Sequence, residues 1–329
     1  MATNGVKIVF GSATFLSISV EETAEWLKTF EEVGIDTIDT ARLYGDSEEV
    51  LGKAGAPSRF TIDTKLPGGA GDRASTKEVV IEQGKKSLAT LQTDAVDVYC
   101  INTPDRRVPW KEMLSGVNEL YKQGAFKRLG LSNFLADEIE EVIRIAKENN
   151  FVVPTVYQGN YSAVARRTEE EIMPVLRKHN FSFYAYSPIA GGFLSKSKAE
   201  LTSDADSRFG KNNLFSGIYN GLYNKPSFLA ALDVWDQIAK DEGVTNAELA
   251  YRWIVYHSKL RGDLGDAVIV GARKKEQLRD TVAAIKKGPL SQEAAKRIDE
   301  IWGSIKDDAW LDNYELLSRE RELLPMPPT

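Results

Sequence analysis

Eight short runs rich in β-branched residues, each followed by a stretch of helical periodicity, predict an α/β chain whose parallel strands close into a (β/α)8 barrel of the TIM type. Size agrees with this: 329 residues with 42% hydrophobic content can bury a sizeable core and suit one barrel domain over residues 1–329, with extended loops and a C-terminal tail. The strand candidates are Lys7 to Phe10, Thr37 to Asp39, Thr61 to Lys65, Val96 to Ile101, Arg128 to Leu131, Thr155 to Gln158, Ser182 to Tyr186 and Ala267 to Val270. Apolar residues recur at three and four in Val20 to Val33, Thr76 to Leu91, Trp110 to Gln123, Ala136 to Asn149 and Thr168 to His179, which predicts helices there. Ser19 and Ser75 sit where helix N-caps belong.

Two stretches depart from strict alternation. Ser195 to Lys225 is polar and aromatic and longer than an ordinary connection. Its glycines Gly210, Gly217 and Gly221 and its tyrosines Tyr219 and Tyr223 suit either a loop that covers a cofactor or a plain surface loop. Two further helical patterns follow, Phe228 to Glu242 and Asn246 to Tyr256, and the tail from Asp307 to Thr329 is charged and carries Trp310 and Tyr314.

A net charge of −6 and a pI near 5.3 argue against nucleic acid as the partner, while leaving room for a local basic patch that holds a small phosphate. The single cysteine, Cys100, excludes an intrachain disulfide, and Met1 to Phe10 lacks the apolar core of a signal peptide. No run reaches the roughly 18 apolar residues that span a bilayer. The expectation is a soluble, cytoplasmic protein without membrane insertion; monomer and homodimer both remain open.

Six separated blocks carry chemistry. They are Asp36-Thr37-Ile38-Asp39-Thr40-Ala41-Arg42-Leu43-Tyr44-Gly45 with Ser47-Glu48-Glu49-Val50-Leu51-Gly52 behind it, Thr64-Lys65, Gly130-Leu131-Ser132-Asn133-Phe134, Val156-Tyr157-Gln158-Gly159-Asn160-Tyr161, and Phe183-Tyr184-Ala185-Tyr186-Ser187-Pro188-Ile189-Ala190-Gly191-Gly192, with Val98 to Asp105 between the second and third. In this order, over roughly residues 7 to 285, the chain resembles the aldo-keto reductases. Lys65-Leu66-Pro67-Gly68-Gly69-Ala70 and Tyr157-Gln158-Gly159 are most similar to the aflatoxin-aldehyde-reductase branch.

Asp39, Tyr44, Lys65 and Asn102 each lie at or just past the carboxyl end of a predicted strand, where barrel enzymes place catalytic groups. A carbonyl that takes up hydride develops negative charge on oxygen and needs a proton donor near neutral pH. A free tyrosine, with a pKa of about 10, is too weak an acid; a nearby ammonium stabilises the phenolate. Tyr44 is therefore the candidate acid, Lys65 its tuner, and Asp39 the carboxylate that orients Lys65. Taken singly, Asp39 also fits a strand-end carboxylate, Tyr44 a rim aromatic and Lys65 a solvated strand terminus. The resemblance implies a histidine where Asn102 stands; an asparagine amide donates a hydrogen bond but does not titrate. An analogous asparagine marks the potassium-channel β-subunits of the same family. His179 and His257 each end a helical stretch and supply no substitute, and no His, Cys, Asp or Glu cluster has metal-ligand spacing.

The resemblance further implies that Ser132, Asn133 and Gln158 hold a nicotinamide carboxamide and that Tyr186 stacks on the nicotinamide ring. It also implies that Gly191, Gly192, Phe193, Leu194 and Ser195 bring backbone amides to a pyrophosphate. No Gly-x-Gly-x-x-Gly fingerprint follows the first strand, so a Rossmann domain is not supported. Gly271-Ala272-Arg273-Lys274-Lys275 opens a predicted helix from Glu276 to Lys287, and cations with free backbone donors at a helix start suit a phosphate. Arg273 and Lys274 thus favour NADPH over NADH. Gln277 matches an adenosine-contacting position, while Thr281 stands where many relatives carry asparagine. The expected activity is NADPH-dependent reduction of an aldehyde, a ketone, an activated dicarbonyl or a quinone. The other reading is a slow-turnover NADPH-binding sensor or accessory protein.

Overall fold

The computed structural model describes residues 4–203, 209–210 and 216–312. Eight strands close a barrel in chain order: β1 (Lys7–Gly11), β2 (Thr37–Asp39), β3 (Thr61–Leu66), β4 (Val96–Ile101), β5 (Phe126–Ser132), β6 (Val156–Asn160), β7 (Ser182–Tyr186) and β8 (Ala267–Val270). Every neighbouring pair is parallel, and β1 against β8 completes the ring. The expected (β/α)8 architecture is present. Strands β3, β5 and β6 run one or more residues further at their carboxyl ends than the sequence pattern indicates, which brings Leu66, Ser132 and Asn160 into the sheet.

Side chains alternate across each strand. Val9, Val98, Cys100, Val156, Tyr184, Ala267 and Ile269 fill the lumen, whereas their neighbours, such as Phe10, Tyr99, Tyr157 and Phe183, belong to the larger core between strands and helices. The same alternation turns Asp39, Lys65, Ser132 and Gln158 inward at the carboxyl-end mouth, so the chemistry is set by which residues share the lumen parity.

The outer layer begins with α1 (Val20–Val33), whose Ser19 cap accepts from the Glu22 N–H as expected. Helix α2 (Ser47–Lys53) follows β2, and α3 (Lys77–Leu91) follows β3. Thr76, not Ser75, caps α3: its hydroxyl accepts from Val79 N–H, while the Ser75 N–H is held by the Asp105 carboxylate at 2.8 Å. Adjacent Ser and Thr are both good caps, and only the tertiary bond to Asp105 separates them. Helices α4 (Trp110–Lys122) and α5 (Ala136–Glu148) match their patterns. The expected helix from Thr168 to His179 is two short ones, α6 (Thr168–Glu171) and α7 (Met173–Lys178). Pro174 explains the break, since it lacks the N–H that would bond back across Ile172.

Between β7 and β8 the described part of the insertion forms α8 (Lys198–Ser203) and α9 (Ser216–Tyr223), followed by α10 (Pro226–Glu242) and α11 (Asn246–Tyr256). Helices α12 (Lys275–Lys286) and α13 (Gln292–Ile305) finish the outer layer. Gly210 adjoins the undescribed residues 204–208 and 211–215, and Tyr314 and the rest of the tail lie outside the described residues. No helix among the described residues is long and apolar enough to cross a membrane.

Gly52 marks where α2 meets the end of α3: a Cβ there would stand 2.4 Å from the Thr90 carbonyl oxygen and 2.8 Å from the Leu91 carbonyl carbon. Backbone cannot step aside as a side chain can. Gly52→Ala should therefore lower unfolding stability by about 1–3 kcal/mol, the usual cost of overpacking, read from urea denaturation midpoints; an unchanged midpoint would show that the two helices slide apart freely.

Candidate active site

The carboxyl-end mouth is built around a buried ion pair. Lys65, 1% exposed, places Nζ 2.6 Å from Asp39 Oδ2, and Asp39 is 2% exposed. The ammonium also donates to the Thr40 carbonyl at 2.7 Å. Burial alone would depress the Lys65 ammonium, but the Asp39 carboxylate, with Tyr44 next, holds it above the ordinary lysine range. It therefore stays charged at neutral pH, with Nζ 5.0 Å from the centre of the Tyr44 ring. Asp39 and Tyr44, from one block, and Lys65, 26 residues after Asp39, are together in the fold.

A clamp that the sequence reading did not single out holds these groups in register. Glu48, buried on α2, accepts from Arg42 Nη1 at 2.9 Å and from the Thr64 hydroxyl at 2.7 Å. One carboxylate thus ties the loop that carries Tyr44 to the strand residue beside Lys65. A hydroxyl chain supports the other side, with Ser47 Oγ 2.9 Å from Thr40 Oγ1 and 2.8 Å from Ser12 Oγ. Glu48 lay inside a recognised block, but nothing in its spacing shows that it faces inward toward β3.

Asn102 follows β4, its N–H bonded to the Leu66 carbonyl at 2.9 Å. Its side-chain amide is half-buried and makes no hydrogen bond among the described residues. Asn133 is the hub of this side of the mouth: Nδ2 donates to the Asn102 carbonyl at 2.7 Å and to Ser132 Oγ at 3.1 Å, and Oδ1 accepts from the Tyr186 hydroxyl at 2.8 Å. Asn133 reaches these partners with φ at 62°, a left-handed conformation that asparagine tolerates better than most residues. Ser132 and Gln158 are register partners on β5 and β6, and the Gln158 amide donates to Asp39 Oδ1 at 2.6 Å. Both histidines lie elsewhere, His179 against Glu140 and His257 accepting from the Leu290 N–H.

Comparison with known proteins places the whole barrel in a family. Residues 7–303 match the aldo/keto reductase family. The chain belongs to the aldo/keto reductases. It is 37% identical over 315 residues to a protein named oxidoreductase sirO from Leptosphaeria maculans, covering 92% of this chain and 95% of that one. An aldo-keto reductase of Pseudocercospora fijiensis is 38% identical over 289 residues, 85% of this chain and 97% of its own. The human aflatoxin B1 aldehyde reductase member 4 is 34% identical over 290 residues, 84% of this chain and 87% of that protein. This aldo/keto reductase is thus an oxidoreductase, a reductase of small-molecule carbonyl compounds.

Aldo/keto reductases generally use a nicotinamide dinucleotide, and the described residues fit one. Asn160 Oδ1 and Ser162 Oγ, at the carboxyl end of β6, are buried without a hydrogen-bond partner, and Asn160 is the register partner of Tyr186. Gly191 and Gly192 have φ of 69° and 106°, so the backbone turns there as only glycine does readily. A Cβ on Gly191 would lie 2.1 Å from the Tyr219 ring. Phe193 and Leu194 are fully buried, and the Leu194 carbonyl accepts from the Trp235 indole N–H at 3.1 Å. Ser195 Oγ donates to the Gly192 carbonyl at 2.8 Å.

Tyr219 and Tyr223 stack on each other, and Tyr223 stacks on Phe193. The described part of the insertion is therefore packed onto the glycine segment and is not a plain surface loop. At the start of α12, Arg273 and Lys274 are exposed, but the Gln277 side chain accepts both of their backbone N–H groups, at 3.0 and 3.1 Å. Two of the backbone donors expected there are thus occupied by Gln277. The start of the tail is anchored by Arg167 Nη1, which donates to the Ala309 carbonyl at 3.1 Å, and Lys225 lies over the Trp310 ring.

Proposed function

We propose that the protein reduces an aldehyde or ketone, an activated dicarbonyl or quinone included, with NADPH, and that Tyr44 is the proton donor. The observation that carries this reading is the charged, buried Lys65 beneath the Tyr44 ring, fixed by Asp39. When bound, the dinucleotide supplies hydride to the carbonyl carbon. Tyr44 gives its hydroxyl proton to the carbonyl oxygen as charge develops there, and the Lys65 ammonium stabilises the phenolate that remains until solvent reprotonates it. The Asn102 amide, uncommitted among the described residues, donates to the same oxygen without titrating. Ser132, Asn133 and Gln158 hold the carboxamide, Tyr186 packs on the ring, and Gly191 to Ser195 approach the pyrophosphate. Gly271, Arg273, Lys274 and Gln277 meet the adenosine end.

Relatives named as aldehyde reductases support an aldehyde as substrate class. The second reading, a slow-turnover NADPH-binding sensor, rests on Asn102, which cannot relay a proton.

Tyr44→Phe removes the acid and leaves the ring over Lys65. Its reduction rate should fall by about 10²- to 10⁴-fold, with NADPH affinity, read by fluorescence quenching, nearly unchanged. Undiminished turnover would exclude Tyr44 as donor.

Arg273 and Lys274 together should give tighter binding of NADPH than of NADH. The double change to alanine removes charge-assisted bonds worth about 1.5–3 kcal/mol each and should narrow the preference at least tenfold; equal affinities in the unaltered protein refute the assignment.

Asn102→His restores a titrating donor. Turnover of unactivated aldehydes should rise, by up to about 2.7–4 kcal/mol of transition-state stabilisation, and more than turnover of dicarbonyls or quinones. If kcat/KM for every substrate stays level or drops while NADPH binding is normal, Asn102 is suited to a non-catalytic or substrate-specific role, as the sensor reading requires.

A further inference from the structure

One buried carboxyl group in the barrel has no place in the reaction above. Asp63 lies on β3 two residues before Lys65, so both side chains enter the lumen from the same strand face. The register pairs Asp63 with Asp39 on β2. Asp63 Oδ1 accepts from the Val98 N–H at 3.0 Å, and Oδ2 is buried with no partner. An ionised carboxylate with a bare oxygen, beside a second carboxylate and walled by Val98 and Cys100, is costly to bury.

We propose that Asp63 is a positioning residue for the reductase: its charge state, acting through the Asp39–Lys65 pair, sets how readily Tyr44 releases its proton. When Asp63 carries a proton, Lys65 faces one carboxylate and the local charge balances. When it ionises, two carboxylates oppose one ammonium, the phenolate of Tyr44 is less favoured, and Tyr44 becomes a weaker acid. This rests on the reading of Tyr44 as donor.

The charged and titratable groups around Asp63 are Asp39 on β2, Lys65 on β3, Asp97 and Cys100 on β4, Arg128 on β5 and Tyr184 on β7. Burial raises the carboxyl first, Asp39 and Asp97 add to this, and the Val98 N–H and Arg128 oppose it only partly, leaving the group at about 7. Arg128 is largely committed, at 2.6 Å to Asp97 and 2.9 Å to the Tyr184 hydroxyl. Cys100 is pushed far above the ordinary thiol range, chiefly by burial, and stays neutral.

Asp63→Asn keeps an acceptor for Val98 and mimics the protonated acid. With saturating NADPH and a reducible aldehyde, kcat of the unaltered enzyme should fall on the order of three- to tenfold as pH rises through neutrality. The variant should lose that inflection, with KM little changed. Asp97→Asn, which removes a like charge and loosens Arg128 without touching Asp63, should move the inflection to lower pH. This second variant also decides the matter if Asp63→Asn does not fold.

Stability gives a readout without activity. The folded-state carboxyl is raised above its unfolded value of about 4, so its contribution is fully present below that pH and is lost as pH rises through about 7. The Tm of the unaltered protein minus that of Asp63→Asn should decline across this window. Superimposable kcat profiles, or a Tm difference independent of pH, would overturn the inference while leaving Tyr44→Phe inactive. An active Tyr44→Phe would instead overturn the reductase reading beneath it.

Discussion

The Asp39–Lys65 ion pair is the constraint around which the mouth is organised. Two charges withdrawn from water at the end of a closed barrel are tolerable only with close geometry and with their remaining hydrogen-bonding capacity used. Lys65 meets this with Asp39 and the Thr40 carbonyl, and Asp39 with Lys65 and the Gln158 amide. Removing either partner leaves a buried, uncompensated charge, so the pair holds both β2 and β3 in place as firmly as it holds Tyr44 over the ammonium. The proposed catalysis and the stability of the fold depend on this one contact.

Around it, the barrel separates its polar groups by height. Valines, Ala267 and Ile269 line the interior, Arg128 with Asp97 and Tyr184 closes the lower part, and Asp39, Lys65 and Tyr44 stand at the carboxyl ends. The apolar interior keeps the dielectric low, which makes one added charge consequential at the mouth. Asp63 stands between the two polar layers, and its unpartnered oxygen is the point where this separation is incomplete.

The cofactor side shows local strain. Ser187 and Ala190 adopt φ of 56° and 51°, and Gly191 and Gly192 continue the left-handed run. Non-glycine residues hold such angles when surrounding packing over-determines them. Here Tyr219 presses on Gly191 and Phe193 is enclosed by Tyr223 and Phe228. The insertion therefore shapes the glycine segment by packing against it.

Strand and helix periodicity by itself determined the eightfold alternation, because both depend on local spacing, and the separated blocks determined which strand ends carry Asp39, Tyr44, Lys65 and Asn102. Sequence also located Ser19 as a cap, but it could not choose between Ser75 and Thr76, since that follows from the bond to Asp105; the break before Pro174 is a sequence-level effect that apolar periodicity alone passes over. What only the tertiary structure decided was which residues meet. Glu48 became a clamp because α2 packs it against Thr64, Asn133 a hub because β4, β5 and β7 converge on it, and Gln277 a cap for the amides of Arg273 and Lys274. Asp63 is the clearest case: its lumen parity with Lys65 is written in the spacing of two residues, but its closeness to Asp39 exists only once β2 and β3 pair in this register.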